Sequence, residues 1–234
     1  MKRSQQKQSA VSLESPQSIA LDRELVRRGG LYAFVKRAYC QVEAGEFVDG
    51  RHIEEVCKHL EAVLDGRIQN LVVNIPPGCM KSLLVSVFFP VWAWAIKDPS
   101  LKWMFASFDA KLSLRDANKA KELMQSPWFQ ARWGNRVRLY EGNRSESASE
   151  YYTNERGMRF STSVAGKATG WHAHIQIVDD PIKPRDTKGG SEATGVKLAE
   201  CKEWWTGTMA SRKADPKRFH RIVLMQRVHD TNLS

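Results

Sequence analysis

The chain has 234 residues, 42% apolar and 26% charged, with 36 Lys and Arg against 26 Asp and Glu for a formal net charge of +10. That is enough apolar residue for one large domain with its own core, without a disulfide or metal staple. The longest apolar run, Ser82 to Ile96, is broken by Ser86 and Pro90 and falls short of the roughly 20 residues of a membrane span, and the polar start has no secretory signal segment.

Met1 to Gln17, rich in Ser, Gln and Lys, reads as a flexible arm, and the boundary of that arm is set at residue 20. Residues 21–66 read as a small helical lobe. Leu25, Leu31, Phe34, Val35 and Ala38 have helical spacing, and a second helix is predicted over Arg51 to Leu64 with Ile53, Val56, Cys57, Leu60 and Val63 on one face. Gly66 stands where a helix-terminating glycine belongs. Residues 67–234 then alternate strand and helix. Strands are predicted at Leu71 to Ile75, Lys102 to Ser107, Arg136 to Tyr140, Tyr151 to Thr153, Met158 to Thr162, His174 to Val178 and Arg221 to Met225. Helices are predicted at Lys81 to Ile96, Leu112 to Met124, from Pro127, and at Glu200 to Met209, and Lys183 to Gly195 reads as a loop. The alternation predicts an α/β fold with a mostly parallel sheet flanked by helices.

Two segments carry chemistry. In the first, a strand stops at Pro76-Pro77-Gly78-Cys79-Met80 and a helix opens with Lys81-Ser82. Such a turn presents several backbone N–H groups to one point and can cradle phosphate. Lys81 would meet the β- and γ-phosphates of a nucleotide, and the Ser82 hydroxyl would meet magnesium. Ile75 and Met80 occupy the two positions that are glycine in the usual G-x-x-x-x-G-K-[ST] loop. Met80 is the greater departure, because glycine there permits positive φ. The second segment is the apolar strand ending in Asp179-Asp180-Pro181, which follows Lys81 by 98 residues. Beside the first strand, Asp179 can hold magnesium and Asp180 can polarise the attacking water; an ordinary Asp-Pro turn is the alternative.

Together these segments resemble the ATPase motor domain of the large terminase subunit of tailed bacteriophages. That family has a Pro-Pro-containing phosphate loop ending in Lys-Ser, followed by an aromatic Pro-x-Trp, here Phe89-Pro90-Val91-Trp92. It also has an acidic pair after an apolar strand, and a coupling strand that Arg221 to Asp230 resembles. The likeness runs from about Arg51 to the C-terminus. It implies a P-loop NTPase core of the RecA-like, additional-strand (ASCE) type. It also implies ATP hydrolysis with Mg2+, using Lys81 and Asp180 in catalysis, Pro77 to Ser82 on ATP, Ser82 and Asp179 on the metal, and Gln226 and Arg227 as the γ-phosphate sensor and coupler. A basic residue acting in trans is expected before the acidic strand, with Lys167 and Arg159 as candidates, and His52 is a candidate for the adenine, with a surface histidine as the other reading.

The same resemblance implies packaging of double-stranded viral DNA into a procapsid in the host cytoplasm, with a portal protein, a small terminase subunit and a homo-oligomeric ring as partners and no membrane. Large terminases carry a nuclease domain after the motor; since this sequence ends at Ser234, the expectation is an ATPase domain without nuclease activity. The positive charge favours a polyanion, and two basic runs are candidates for DNA phosphates: Lys183, Arg185 and Lys188, and Arg212, Lys213, Lys217 and Arg218. A helicase-like ATPase of the same fold, or a DNA-binding module whose nucleotide site Met80 has disabled, are the rival readings. The cysteines, Cys40, Cys57, Cys79 and Cys201, and the histidines lack ligand spacing and are read as reduced thiols and metal-free side chains.

Overall fold

The computed structural model describes residues 14–142, 149–164, 166, 168, 170–182 and 192–225. Helix α1, Pro16–Ala38, opens inside the stretch expected to be a flexible arm. The reason is local: the Ser15 hydroxyl accepts the Ser18 amide at 3.1 Å, and Pro16 sits in the first turn, where its missing N–H is harmless. The helix kinks at Gly30, which has φ 63° and ψ −150°. A Cβ there would meet Glu61 Oε1 at 2.3 Å, and that same oxygen accepts the Leu31 amide at 2.8 Å. Helix α2, Arg51–Leu64, buries Ile53, Val56, Cys57, Leu60 and Val63 as expected, and Gly66 follows it at φ 75°.

Among the described residues six strands form one sheet: β1 (Asn70–Asn74), β2 (Lys102–Ser107), β3 (Glu150–Tyr152), β4 (Met158–Ser163), β5 (Ile175–Asp179) and β6 (His220–Met225). Their spatial order is β1-β6-β5-β2-β4-β3, parallel throughout except for the β3–β4 pair. The expected strand over Arg136 to Tyr140 reduces to a single bridge from Leu139 to Thr153. Its partner β3 is three residues long, and the Asn154 side chain takes the Arg138 amide at 2.8 Å in place of a ladder carbonyl.

Both faces of the sheet are covered. Leu71, Val73, Trp103, Phe105, Ile175, Ile177, Ile222 and Leu224 join a core with α1, α2, a long helix α3 over 81–97, α4 (Ala110–Gln125) and α5 (Pro127–Trp133). On the other face, Met104, Ala106, Phe160, Val178, Val223 and Met225 pack on Trp204, Trp205 and Met209, which follow α6 (Glu192–Glu203). Helix α6 includes Glu192 to Gly195, which the sequence assigned to a loop. Burial of Leu198, Cys201 and Trp204 further along outweighs the low helix propensity of Gly195. Among the described residues no helix is long and apolar enough to cross a membrane.

Helix α3 is not a regular α-helix. Leu83–Phe88 and Ala93–Lys97 are wound in wider π turns around the α-helical Phe89–Trp92. Pro90 has no N–H to offer the Ser86 carbonyl one turn back. Arg159 Nη1, reaching in from β4, donates to that carbonyl at 2.6 Å.

Candidate active site

The five parallel strands end at one edge of the sheet, and both turns singled out in the sequence emerge there. β1 and β5 are not adjacent, as the sequence reading had them; β6 stands between. Across that strand the Lys81 ammonium donates to Asp180 Oδ1 at 2.6 Å. Lys81, the first residue of α3, is only 6% exposed, so its charge sits in a poorly solvated site where the contact with Asp180 offsets its desolvation.

The turn between β1 and α3 keeps the conformation expected of a glycine-containing loop without the second glycine. Gly78 has φ 82°, with open space where a Cβ would point. Met80 itself takes φ 58°, a left-handed conformation that costs about 1–2 kcal/mol for an L-residue. Its half-buried side chain packs on the core, which opposes that strain. Pro76, Pro77 and Gly78 are exposed, and Cys79 is half-buried.

Asp179 closes β5 and Asp180 leaves it. Asp180 has φ 44°, which breaks the two-residue alternation of the strand. Backbone bonds fix this turn: the Asp180 amide donates to Leu224 O at 2.8 Å and its carbonyl accepts from Phe108 at 3.2 Å. Burial pushes the Asp179 carboxyl up to about 6, against the nearby Ser82 hydroxyl, which lowers it; the Asp180 charge raises it further. Asp179 Oδ1 is buried and has no hydrogen-bond partner among the described residues. A buried carboxylate oxygen that lacks a donor, close to a hydroxyl, fits a hard divalent cation. Among the described residues there is no group of three His, Cys, Asp or Glu able to hold a metal unaided. A magnesium here would therefore take further oxygens from water and from its phosphate ligand.

Two further residues border this site and escaped the sequence reading. Ser107 at the end of β2 pairs with Asp179, and α4 starts just beyond, capped by Asp109. In its second turn Asp116 is 3% exposed; Arg115 Nε donates to Asp116 Oδ1 at 2.8 Å, and Nη2 forms an ion pair with the same oxygen at 2.8 Å. The signal was present in the spacing: the buried stripe of α4 runs Ser113, Asp116, Ala117, Ala120, Leu123, Met124, so a carboxylate interrupts a helical apolar face.

Arg159 does not have the role expected of it. It is fully buried, its guanidinium lies 3.6 Å from the centroid of the Phe105 ring, and it serves the Ser86 carbonyl, so it does not project toward a neighbouring subunit. Burial lowers its pKa. His52 is exposed in the first turn of α2. The run from Arg212 to Arg218 lies at the opposite, amino edge: Lys213 bridges to Ala173 ahead of β5, and Lys217 and Arg218 precede β6. A six-residue strand puts roughly 20 Å between the two edges. There Arg218 pairs with Asp98 at 2.8 Å, beside a cleft of 360 Å³ that also takes in Asp65, Lys97 and His220. Lys167, Lys183, Arg185, Lys188, Gln226 and Arg227 lie outside the described residues.

No family profile and no curated protein matches the sequence. Among solved structures, the fold is similar to the large terminase of bacteriophage HK97, with a TM-score of 0.54 and 15% sequence identity over 88% of this chain and 40% of that one. The chain therefore has a terminase-like fold and spans two-fifths of the length of that terminase.

Proposed function

We propose that the chain is an ATP-hydrolysing motor domain of a DNA-packaging terminase, built on a P-loop core of the additional-strand type. One observation carries the proposal: the buried Lys81–Asp180 contact at 2.6 Å, beside an Asp179 oxygen without a partner among the described residues. A lysine buried against a carboxylate at the carboxyl ends of parallel strands occupies the position where α/β proteins bind ligands. The left-handed backbone at Gly78 and Met80 supports a turn that can wrap a phosphate.

Each side chain then has a task. Lys81 exchanges its carboxylate partner for the phosphates of ATP. That exchange frees Asp180 to accept a proton from the attacking water, so substrate binding itself uncovers the base. Ser82 and Asp179 hold the metal. Magnesium, when bound, supplies positive charge to the phosphate oxygens as the terminal phosphate departs. Gln226 and Arg227 follow β6 directly in sequence and are assigned the sensing and coupling role, and Lys167 is the remaining candidate for a basic residue acting in trans. Lys183, Arg185, Lys188, Arg212, Lys213, Lys217 and Arg218 are assigned to DNA phosphates, since a motor that slides contacts backbone charge and not base edges. A portal protein, a small terminase subunit, a ring of copies and the infected host cytoplasm complete the proposal.

The test is phosphate release from ATP by the wild-type chain and by Lys81→Ala. A drop of at least about a hundredfold is expected; an unchanged rate rejects the proposal in favour of a DNA-binding module. Specific activity should also rise with protein concentration if a neighbour supplies a residue in trans, and a flat response contradicts that part.

A further inference from the structure

Arg115 stands on α4, which begins, like α3, against the Asp179–Asp180 turn. Ser107 pairs with Asp179, the next amide, Phe108, donates to the Asp180 carbonyl, and Asp109 caps α4. Arg115, in the second turn of that helix, lies close enough to feel the Asp179 charge. Its guanidinium is held in an unusual way. Nε and Nη2 converge on the single oxygen Asp116 Oδ1, both at 2.8 Å, where an arginine and a carboxylate can instead meet fork to fork. Asp116 is 3% exposed, while the Arg115 side chain is 53% exposed. The anchoring carboxylate is thus rigid and buried, and the cation it holds stands at the solvent boundary. Asp116 in turn is electrostatically linked to Asp179, whose charge also favours the charged form of Arg115.

Building on the nucleotide reading, we propose that Arg115 is a catalytic residue acting in cis: Asp116 grips one side of its guanidinium, and the Nη1 end contacts the terminal phosphate of a bound nucleoside triphosphate. A planar guanidinium whose orientation is already fixed loses little freedom on meeting phosphate oxygens. Charge on the terminal phosphate group shifts during hydrolysis, so a fixed cation there lowers the barrier more than it tightens ground-state binding. Asp116 is its positioning residue. Arg115 thus separates triphosphate from diphosphate more sharply than Lys81, which keeps its β-phosphate partner in both.

Two readouts on one set of proteins test this: equilibrium binding of fluorescent ADP and of a fluorescent non-hydrolysable ATP analogue with Mg2+, and single-turnover hydrolysis of ATP. Arg115→Ala should weaken the ATP analogue by about tenfold while leaving ADP affinity within about twofold, as expected for loss of one charged hydrogen-bonding partner, and should slow hydrolysis about a hundredfold. Arg115→Lys should recover part of the analogue's affinity and less of the rate. Asp116→Asn should slow hydrolysis and yet keep most of the ADP–ATP discrimination. Equal loss of both nucleotides in Arg115→Ala means a structural role and overturns the proposal, as does wild-type behaviour in both readouts. If Arg115→Ala does not fold, Arg115→Gln carries the same comparison, because its amide can still bond Asp116. When the wild-type chain binds and Lys81→Ala does not, a negative result for Arg115 rejects this inference alone. When wild type binds neither nucleotide, the nucleotide reading falls and this inference with it.

Discussion

At the amino edge of the sheet, Asp98 is met by the Ser100 hydroxyl at 2.6 Å, the Ser100 amide at 2.9 Å and Arg218 at 2.8 Å, with every partner near water. At the carboxyl edge, Lys81 is buried against Asp180, and Asp179 keeps an oxygen with no donor among the described residues. Both edges hold acid–base pairs of nearly the same length, so distance does not tell them apart. What differs is burial and strain. Of the three non-glycine residues at positive φ among those described, Met80 precedes Lys81 and Asp180 is its partner in the contact. Surface pairs such as Arg218–Asp98 contribute about 0–1 kcal/mol and need no function to explain them. Buried, incompletely partnered charge held by strained backbone persists only where the surroundings over-determine it, as they do at ligand sites.

That contrast can be broken experimentally, and the largest effect is expected at the carboxyl edge. Asp180→Asn should lower ATP turnover by about 10²–10⁴-fold, the range for loss of a general base, with nucleotide binding retained. Phosphate release and a nucleotide titration on the same sample measure both. Turnover close to wild type would remove Asp180 from the chemistry.

Backbone strain comes next. Met80→Val puts a β-branched residue at φ 58° and should cost about 1–3 kcal/mol in urea denaturation. Met80→Gly should stay within roughly 1 kcal/mol of wild type, because relief of strain is opposed by greater freedom of the unfolded chain and by lost packing. Equal losses in both variants would mean that packing, and not φ, governs this position.

The amino edge should respond less. Burial alone would raise the Asp98 carboxyl, but the Ser100 hydroxyl, Arg218 and the Ser100 amide hold it at about 2. Its folded pKa therefore lies below the unfolded value of about 3.9. The resulting stability is fully present above about pH 4 and is lost as the pH falls toward 2. With Arg218 largely in solvent, screening leaves about 1 kcal/mol. Asp98→Asn should show that deficit at pH 7, and the gap to wild type should close between about pH 4 and pH 2; a gap independent of pH contradicts this. Smallest of all, Lys217→Ala should leave stability within about 0.5 kcal/mol and reduce the salt slope of DNA binding by about one.

How much of this was legible in the sequence follows from how local each signal is. The helix Arg51–Leu64, the strands around Lys102 and Met158, and the two turns at Lys81 and Asp179 are written in periodicity and in Pro, Gly and Asp, all read within a few residues. The insertion of β6 between β1 and β5 is a long-range pairing, and the sequence reading placed those two strands side by side. Arg159 read as an exposed cation because nothing nearby says that Pro90, far away in the chain, leaves the Ser86 carbonyl without its helical donor. Met80 read as a defect because a side chain can take a left-handed conformation when the core rewards it, and packing of that kind has no sequence signature. Arg115 and Asp116 were not singled out in the sequence, although Asp116 falls on the apolar stripe of α4.

The central claim is that Lys81 and the Asp179–Asp180 turn belong to one nucleotide site. Equilibrium titration of fluorescent ADP into wild type, Lys81→Ala and Asp179→Asn, each with Mg2+ and with the metal chelated, tests it most directly. Wild type should bind and lose about tenfold in affinity without metal, Asp179→Asn should bind weakly and ignore the metal, and Lys81→Ala should bind weakly in both conditions. Identical affinities across the three proteins, with or without magnesium, would contradict the account.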